Sequence, residues 1–304
     1  MKISCFEVLD ERFQRLFVGS ARLDTLFTDC RWAEGPAYFP AGRFLIWSDI
    51  PNDRMLRLDE ASGHVSVFRQ SSGNSNGNTV DRMGRLVTCE HGGRRVSRTE
   101  FDGSVVTLAD CYEGKRLNSP NDAVVKSDGS IWFTDPTYGV DSDYEGNKGE
   151  IEQPGNFVYR IDPLSGALSI VADDFVQPNG LAFSPDETVL YLVDTGKSHK
   201  ADGPTHIRQF RVNDNGTLRD AGLFANSTNG FFDGLRVDTA GRIWTSAGDG
   251  VHCYDPDGTL LGKVLVPEVV ANVCFGGPKR NYLYICGTTS LYGVRLPVNG
   301  VKTF

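Results

Sequence analysis

Apolar and polar positions along this chain fall into short bursts separated by turn residues, and one burst pattern returns six times. Each copy opens with a short apolar segment, turns, and continues into a strongly apolar segment ending in a small or acidic residue. The pairs are 37–39 with 42–49, 79–81 with 84–90, 123–125 with 128–135, 181–183 with 186–194, 235–237 with 241–246, and 273–275 with 282–287. Runs this short, bounded by Gly or Asp and rich in aromatic and β-branched residues, read as β-strands. One or two weaker strands follow in each copy. Successive copies start 42, 44, 58, 54 and 38 residues apart. A period near 40 residues with four short strands per unit predicts the blades of a propeller. The two longest spacings place loop insertions at 138–156 and 196–205.

The sixth copy runs out near Pro297 after about three strands. An open edge would invite pairing with another chain, so the ring needs a closing strand. Residues 21–28, alternately apolar and polar, precede the first copy and are placed to complete the last blade. The first twenty residues carry Phe6, Val8, Leu9, Phe13, Leu16 and Phe17 and read as an amphipathic extension packed on the ring. The expected fold is all-β: one six-bladed β-propeller domain over 1–304, with 1–20 as extension and 21–304 as propeller.

Composition sharpens this picture. The chain holds 34 glycines in 304 residues, too many for a helical bundle, because glycine loses the most backbone entropy in a helix. The formal charge of −8 argues against DNA, RNA or an anionic membrane as partner, since each needs a basic face. The first residues lack the basic start, apolar run and cleavage site of a signal peptide, and no stretch reaches the length of a membrane span. Seven scattered cysteines form neither a C-x-x-C pair nor a His/Cys cluster, which suits free thiols in a reducing cytoplasm.

Propeller symmetry turns spacing into location. The residues just before each innermost strand share one height around the axis: Glu34, Asn76, Asn121, Asn179, Asp233 and Asn272. Asn-Gly and Asp-Gly are also common turn formers that tolerate positive φ. That alternative accounts neither for Glu34 nor for the common register. Six convergent carboxylates and amides without His or Cys suit a hard cation, Ca²⁺ first, then Mg²⁺ or Mn²⁺, with room left for water and substrate. The second strands return Asp49, Glu90, His91, Asp135, Asp194 and Ser246 to the same face. His91 is a candidate to bind substrate or move protons, against a purely structural hydrogen bond. Asp135 and Asp194 either orient ligands or cap turns. Trp47, Trp132 and Trp244 sit mid-strand as blade core. No G-x-S-x-G elbow, P-loop or dinucleotide fingerprint is present.

These residues resemble those of the gluconolactonase/regucalcin (senescence marker protein) family over roughly 21–300. The likeness rests on Arg31-Trp32-Ala33-Glu34-Gly35-Pro36, Cys89-Glu90-His91-Gly92-Gly93, Asn118-Ser119-Pro120-Asn121-Asp122, Trp132-Phe133-Thr134-Asp135-Pro136-Thr137-Tyr138-Gly139, Gln177-Pro178-Asn179-Gly180 and Phe232-Asp233-Gly234. The Cys89–Gly93 and Asn118–Asn121 motifs bring it nearer the bacterial gluconolactonases than the animal regucalcins. The resemblance implies that Glu34, Asn179 and Asp233 hold a divalent ion, with Asn121 as a further ligand or a substrate contact. Zn²⁺ or Fe²⁺ can also occupy such a ring. It implies hydrolysis of a sugar-acid lactone to the aldonic acid, the ion acting as Lewis acid and Asp233 as general base. Asn118, Asn121, His91, Asp135 and Tyr138 would hydrogen-bond the sugar hydroxyls. Two rivals stand beside it: a phosphotriesterase like diisopropyl-fluorophosphatase, in which Asp233 attacks directly, and a non-catalytic calcium-binding propeller.

Overall fold

The computed structural model describes residues 5–302. Six antiparallel sheets of four or five strands follow one another in chain order, each with its first strand innermost, and a small hairpin, Cys111–Tyr112 with Lys115–Arg116, lies between the second and third. Blade one comprises Ala33–Phe39, Phe44–Asp49, Arg54–Asp59 and Val65–Gln70. Blade two runs from Ser75–Val80 to Val105–Ala109, and blade three from Ala123–Val125 to Leu168–Phe175. Blade four runs from Pro178–Phe183 to Leu218–Asn226, and blade five from Leu235–Val237 to Leu260–Leu265. Blade six takes Val270–Gly276, Tyr282–Gly287 and Ser290–Arg295 from the C-terminal end of the chain. Its fourth strand is Leu23–Thr28, paired antiparallel from Leu23 opposite Val294 to Thr28 opposite Ser290. The ring closes by joining the two ends of the chain, as the alternation at 21–28 predicts.

Burial falls outward through each blade. Second strands such as Phe44–Asp49 and Ile131–Asp135 are buried almost throughout, because neighbouring blades cover both faces. Fourth strands such as Val65–Gln70 and Val105–Ala109 are largely exposed. Trp47, Trp132 and Trp244 are fully buried between blades, each in a different apolar cluster. Truncating a side chain of this size in such a position costs about 3–5 kcal/mol.

The N-terminal extension does more than pack. Phe6–Val8 adds a fifth strand to blade five, with Phe6 opposite Val264 and Val8 opposite Gly262. A 3₁₀ turn at Glu11–Leu16 then buries Phe13 and Leu16 against blades five and six, and the Phe6 and Phe17 rings stack at 4.2 Å. Val8 and Leu9 point to solvent instead of joining the apolar face expected of them. Within the first insertion lies a short helix, Tyr138–Asp141, and within the second a 3₁₀ turn, Gly196–Ser198.

Candidate active site at the channel mouth

Four innermost strands break register where they begin. Irregularities fall between Glu34 and Ala37, Ser75 and Asn78, Pro178 and Leu181, and Val270 and Asn272. A bulge at such a point re-aims a side chain away from ladder alternation. In blades three and five the strand starts only at Ala123 and Leu235, which leaves Asn121 and Asp233 on the segments leading in. Asn76, Asn121, Asn179 and Asp233 therefore escape the ladder, while Glu34, opposite Ser48, and Asn272, opposite Cys286, stand at the edge of a bulge.

The turn-former alternative fails on the backbone. None of Glu34, Asn76, Asn121, Asn179, Asp233 or Asn272 has a left-handed φ. The glycines that follow serve close approach. The Gly77 N–H donates to Asn121 O at 2.7 Å, and the Gly180 N–H donates to Asp233 O at 3.1 Å. A Cβ on either glycine would collide with that same carbonyl oxygen. Glycine here lets one blade press against the ring residue of the next. Asn272 closes the circle, donating from Nδ2 to Glu34 Oε2 at 3.0 Å.

The second strands brace this ring from behind. Asp49 accepts from the Arg31 N–H at 2.9 Å, Asp135 from the Asn118 N–H at 2.8 Å, and Asp194 from the N–H groups of Val176 and Gln177 at 2.9 Å. In blade five Ser246 Oγ accepts from the Asp233 N–H at 2.8 Å. Asp135 and Asp194 thus hold the incoming segment of their own blade. Asn118 is held in turn, its Nδ2 donating to the carbonyls of Asp135 and Gly155 at 3.2 and 3.0 Å.

Three carboxylates crowd the ring. Burial, and then the negative charge of Asp122, push the Glu34 carboxyl up to about 8. Asp233 is raised well above the usual carboxylate range by burial, then by Glu34, Glu145 and Asp122. One guanidinium answers them: Arg236 Nη1 lies 3.3 Å from Asp122 Oδ2. With that pair mutually neutralised, ionising both Glu34 and Asp233 would set two uncompensated charges in a desolvated mouth. Asn76 Oδ1 and Asn179 Oδ1 are buried with no hydrogen-bond donor, an arrangement that costs about 1–3 kcal/mol per group unless something supplies one. Two carboxylates and orphaned amide oxygens fit a hard divalent cation. Among the described residues, no three His, Cys, Asp or Glu side chains meet as a metal cage, so any ion here depends on amide oxygens as well.

The expected substrate contacts divide. Asn118, His91 and Asp135 have essentially no solvent-exposed surface, and Asn121 is buried. Tyr138 is partly exposed, and its hydroxyl feels the charges of Asp233 and Glu145. His91 Nε2 is 3.1 Å from Asn76 Nδ2, and burial lowers its imidazole to about 4. Asp135 is pushed up to about 7 by the same cause.

Sequence reasoning missed Glu145, on the first insertion, whose carboxylate sits 3.9 Å from His91 Nδ1 and is raised by burial, then by Asp141, to about 7. It also missed a clasp between the two insertions. His199 Nε2 pairs with Asp141 Oδ2 at 2.7 Å, and Ser198 Oγ lies 2.9 Å from the Tyr138 hydroxyl. Neither loop carries any periodicity that announces this contact.

Comparison with known proteins places the chain. Residues 32–289 match the family described as SMP-30/Gluconolactonase/LRE-like region. A gluconolactonase of Zymomonas mobilis is 31% identical over 309 aligned residues, covering 94% of this chain and 83% of that one. The solved structure of a gluconolactonase from Xanthomonas campestris superposes with a TM-score of 0.90 at 40% identity, covering 96% of this chain and 94% of that one. A calcium-binding regucalcin structure from Agrobacterium tumefaciens shares the fold, with a TM-score of 0.73 at 21% identity over 92% of this chain and 95% of that one. No helix among the described residues is long and apolar enough to cross a membrane. Propeller, ring and sequence agree: the chain belongs to the SMP-30/gluconolactonase/LRE-like family.

Proposed function

We propose that this protein hydrolyses a sugar-acid lactone to the open aldonic acid, using a divalent cation, with Ca²⁺ first, held by Glu34, Asn121, Asn179 and Asp233. One observation carries the assignment of roles. Of the three ring carboxylates, Glu34 and Asp122 are 2% and 1% exposed, and Asp233 alone is open enough to meet an attacking water. The gluconolactonase relatives support the reaction class, and the calcium-binding relative supports the type of ion. When bound, the cation would polarise the lactone carbonyl and stabilise charge developing on its oxygen.

The chain's own residues supply the rest. Asp233 takes a proton from water as the oxygen adds to the carbonyl carbon. The ring C–O bond then breaks, and the proton passes to the departing alkoxide, leaving a new hydroxyl and a carboxylic acid that gives its own proton to solvent. Ser246 fixes Asp233 through the backbone, and Asn179 steadies its carboxylate by a side-chain hydrogen bond. Tyr138 and Glu145 face the sugar hydroxyls; His91, Asn118 and Asp135 position the groups in front of them. A rim of Tyr138, Asp141, Glu145, Ser198 and His199 is too polar for an apolar phosphotriester.

The test is hydrolysis of glucono-, galactono- and xylono-lactones before and after chelation, with Ca²⁺ returned afterwards. Activity should vanish on chelation and recover with the ion. Asp233→Asn should cost about 10²–10⁴-fold in kcat, the range for a positioned general base, with the β-sheet spectrum unchanged. Glu34→Gln should weaken the ion first. Full activity in metal-free protein would overturn the reading, and an absence of hydrolysis with a tightly bound ion would leave a calcium-binding platform in its place.

A further inference from the structure

The same six inner strands that begin polar end apolar, and at that opposite end of the channel they enclose a cavity of about 300 Å³. Every blade contributes apolar wall, with Tyr38, Val80, Val125, Phe183, Val237 and Phe275 among its residues. This volume is at the lower end of the ~300–1,000 Å³ that small-molecule sites occupy. The wall is not charge-balanced. Arg82, Arg236, Arg280 and Lys302 line it against one carboxylate, Glu187. Glu187 is already shared, lying 2.9 Å from Arg82 Nη2 and 3.5 Å from Lys126 Nζ. At the inner end, Arg236 commits Nη1 to Asp122 Oδ2 and to Leu235 O, at 3.3 and 2.7 Å. No acceptor among the described residues bonds its Nε or Nη2. Arg280 donates only Nε, to Gly300 O at 3.0 Å, and neither it nor Lys302 has an ion pair among the described residues. Asn78, the polar side chain nearest the ring, spends its donors on Gly35 O, Ser48 Oγ and Asn76 O.

We propose that this cavity is a second, separate binding site for a small organic anion with an apolar or aromatic body. The carboxylate meets the arginines by charge-assisted hydrogen bonds, and the body fills the space between Tyr38, Phe183 and Phe275. A sugar acid does not suit it, because its hydroxyls would be buried against walls that offer them no partners. The site is thus chemically distinct from the channel mouth proposed for the lactone, and it stands or falls independently of that reading.

Calorimetric titration of the full chain with 3-phenylpropionate tests it, with 3-phenylpropanamide, 3-phenylpropylamine and gluconate as comparisons. The carboxylate should bind saturably with one site, at least tenfold more tightly than the amide. The amine and gluconate should not bind there. Arg280→Gln should weaken the carboxylate several-fold and leave the amide unchanged. Ala37→Phe, which fills the cavity, should abolish binding of both. If Ala37→Phe fails to fold, the ligand series and Arg280→Gln still decide. No saturable binding, equal binding of acid and amide, or undiminished binding to a folded Ala37→Phe protein would each overturn the proposal.

Discussion

The two mouths of the channel are built by the same strands a few residues apart, yet they are chemical opposites. At one end stand Glu34, Asn76, Asn121, Asn179, Asp233 and Asn272; at the other, Tyr38, Val80, Val125, Phe183, Val237 and Phe275. The apolar side chains of the second end need no account beyond burial, since packing them favours folding; only the excess of Arg82, Arg236, Arg280 and Lys302 over Glu187 there asks for one. The polar end opposes folding: it buries carboxylates beside one another and leaves amide oxygens without donors. Sequences keep such costs where a ligand relieves them. The contrast between the mouths is itself evidence for which one does the chemistry.

Arg236 divides the two regions, and removing it is the most severe way to break the comparison. Arg236→Leu strips Asp122 of its counter-charge inside the protein, where an unpaired buried ion costs about 3–5 kcal/mol. Chemical denaturation should show a loss of that size. Adding Asp122→Asn to the same protein should recover most of it. If the single substitution is neutral, the pair is not what keeps a third carboxylate tolerable in the ring.

A second test asks whether the braces behind the ring are charged scaffolding. Asp135 has its folded carboxyl raised to about 7 from an ordinary 3.8. Between those values the native state holds a proton that the unfolded chain has lost, so this group's contribution falls as pH rises from about 4 to 7. His91, lowered to about 4, acts in the opposite direction: below its unfolded value of 6.5 the unfolded chain binds the extra proton. Asp135→Asn keeps an acceptor for the Asn118 N–H while removing the titration. The variant should match the parent near pH 4 and gain on it as pH rises, by about 1.4 kcal/mol for each pH unit until the folded carboxyl ionises. Unfolding midpoints of both proteins from pH 4 to 8 give the answer, and parallel curves would contradict a buried titrating Asp135.

Much of this was legible in the chain and some was not, for physical reasons. First and second strands announced themselves because neighbouring blades bury both faces, which forces unbroken apolar runs such as Phe44–Trp47 and Ile131–Phe133. Outer strands such as Val65–Gln70 meet water and carry a weaker pattern. The closing strand at Leu23–Thr28 was readable from alternation, whereas Phe6–Val8 spans three residues, too few to show a period. The ring was visible as six equivalent polar positions, but the bulges that turn it inward depend on register between strands and leave no mark in composition. Glu145 and the Asp141–His199 clasp lie in insertions without repeat symmetry. Nothing in sequence ties those loops to the mouth.

The glycines after the ring residues offer the finest cut between scaffold and site. Gly180 does not hold a left-handed φ, so alanine costs nothing in backbone strain. Its obstacle is the Asp233–Gly234 backbone of the next blade, with the Asp233 carbonyl nearest, which an added methyl would push aside. Overpacking of this kind costs about 1–3 kcal/mol in stability, too little to unfold a six-bladed ring. A shift of Asp233 by a fraction of an ångström, however, acts on the one carboxylate of Glu34, Asp122 and Asp233 that meets solvent, and catalytic geometry tolerates little displacement. Gly180→Ala should therefore lower kcat against sugar lactones more than tenfold while the unfolding midpoint drops only modestly. Binding of 3-phenylpropionate in the opposite cavity should stay unchanged in the same protein. A variant that loses stability but keeps kcat would mean that the inter-blade contact at Gly180 serves packing and leaves Asp233 where the reaction needs it.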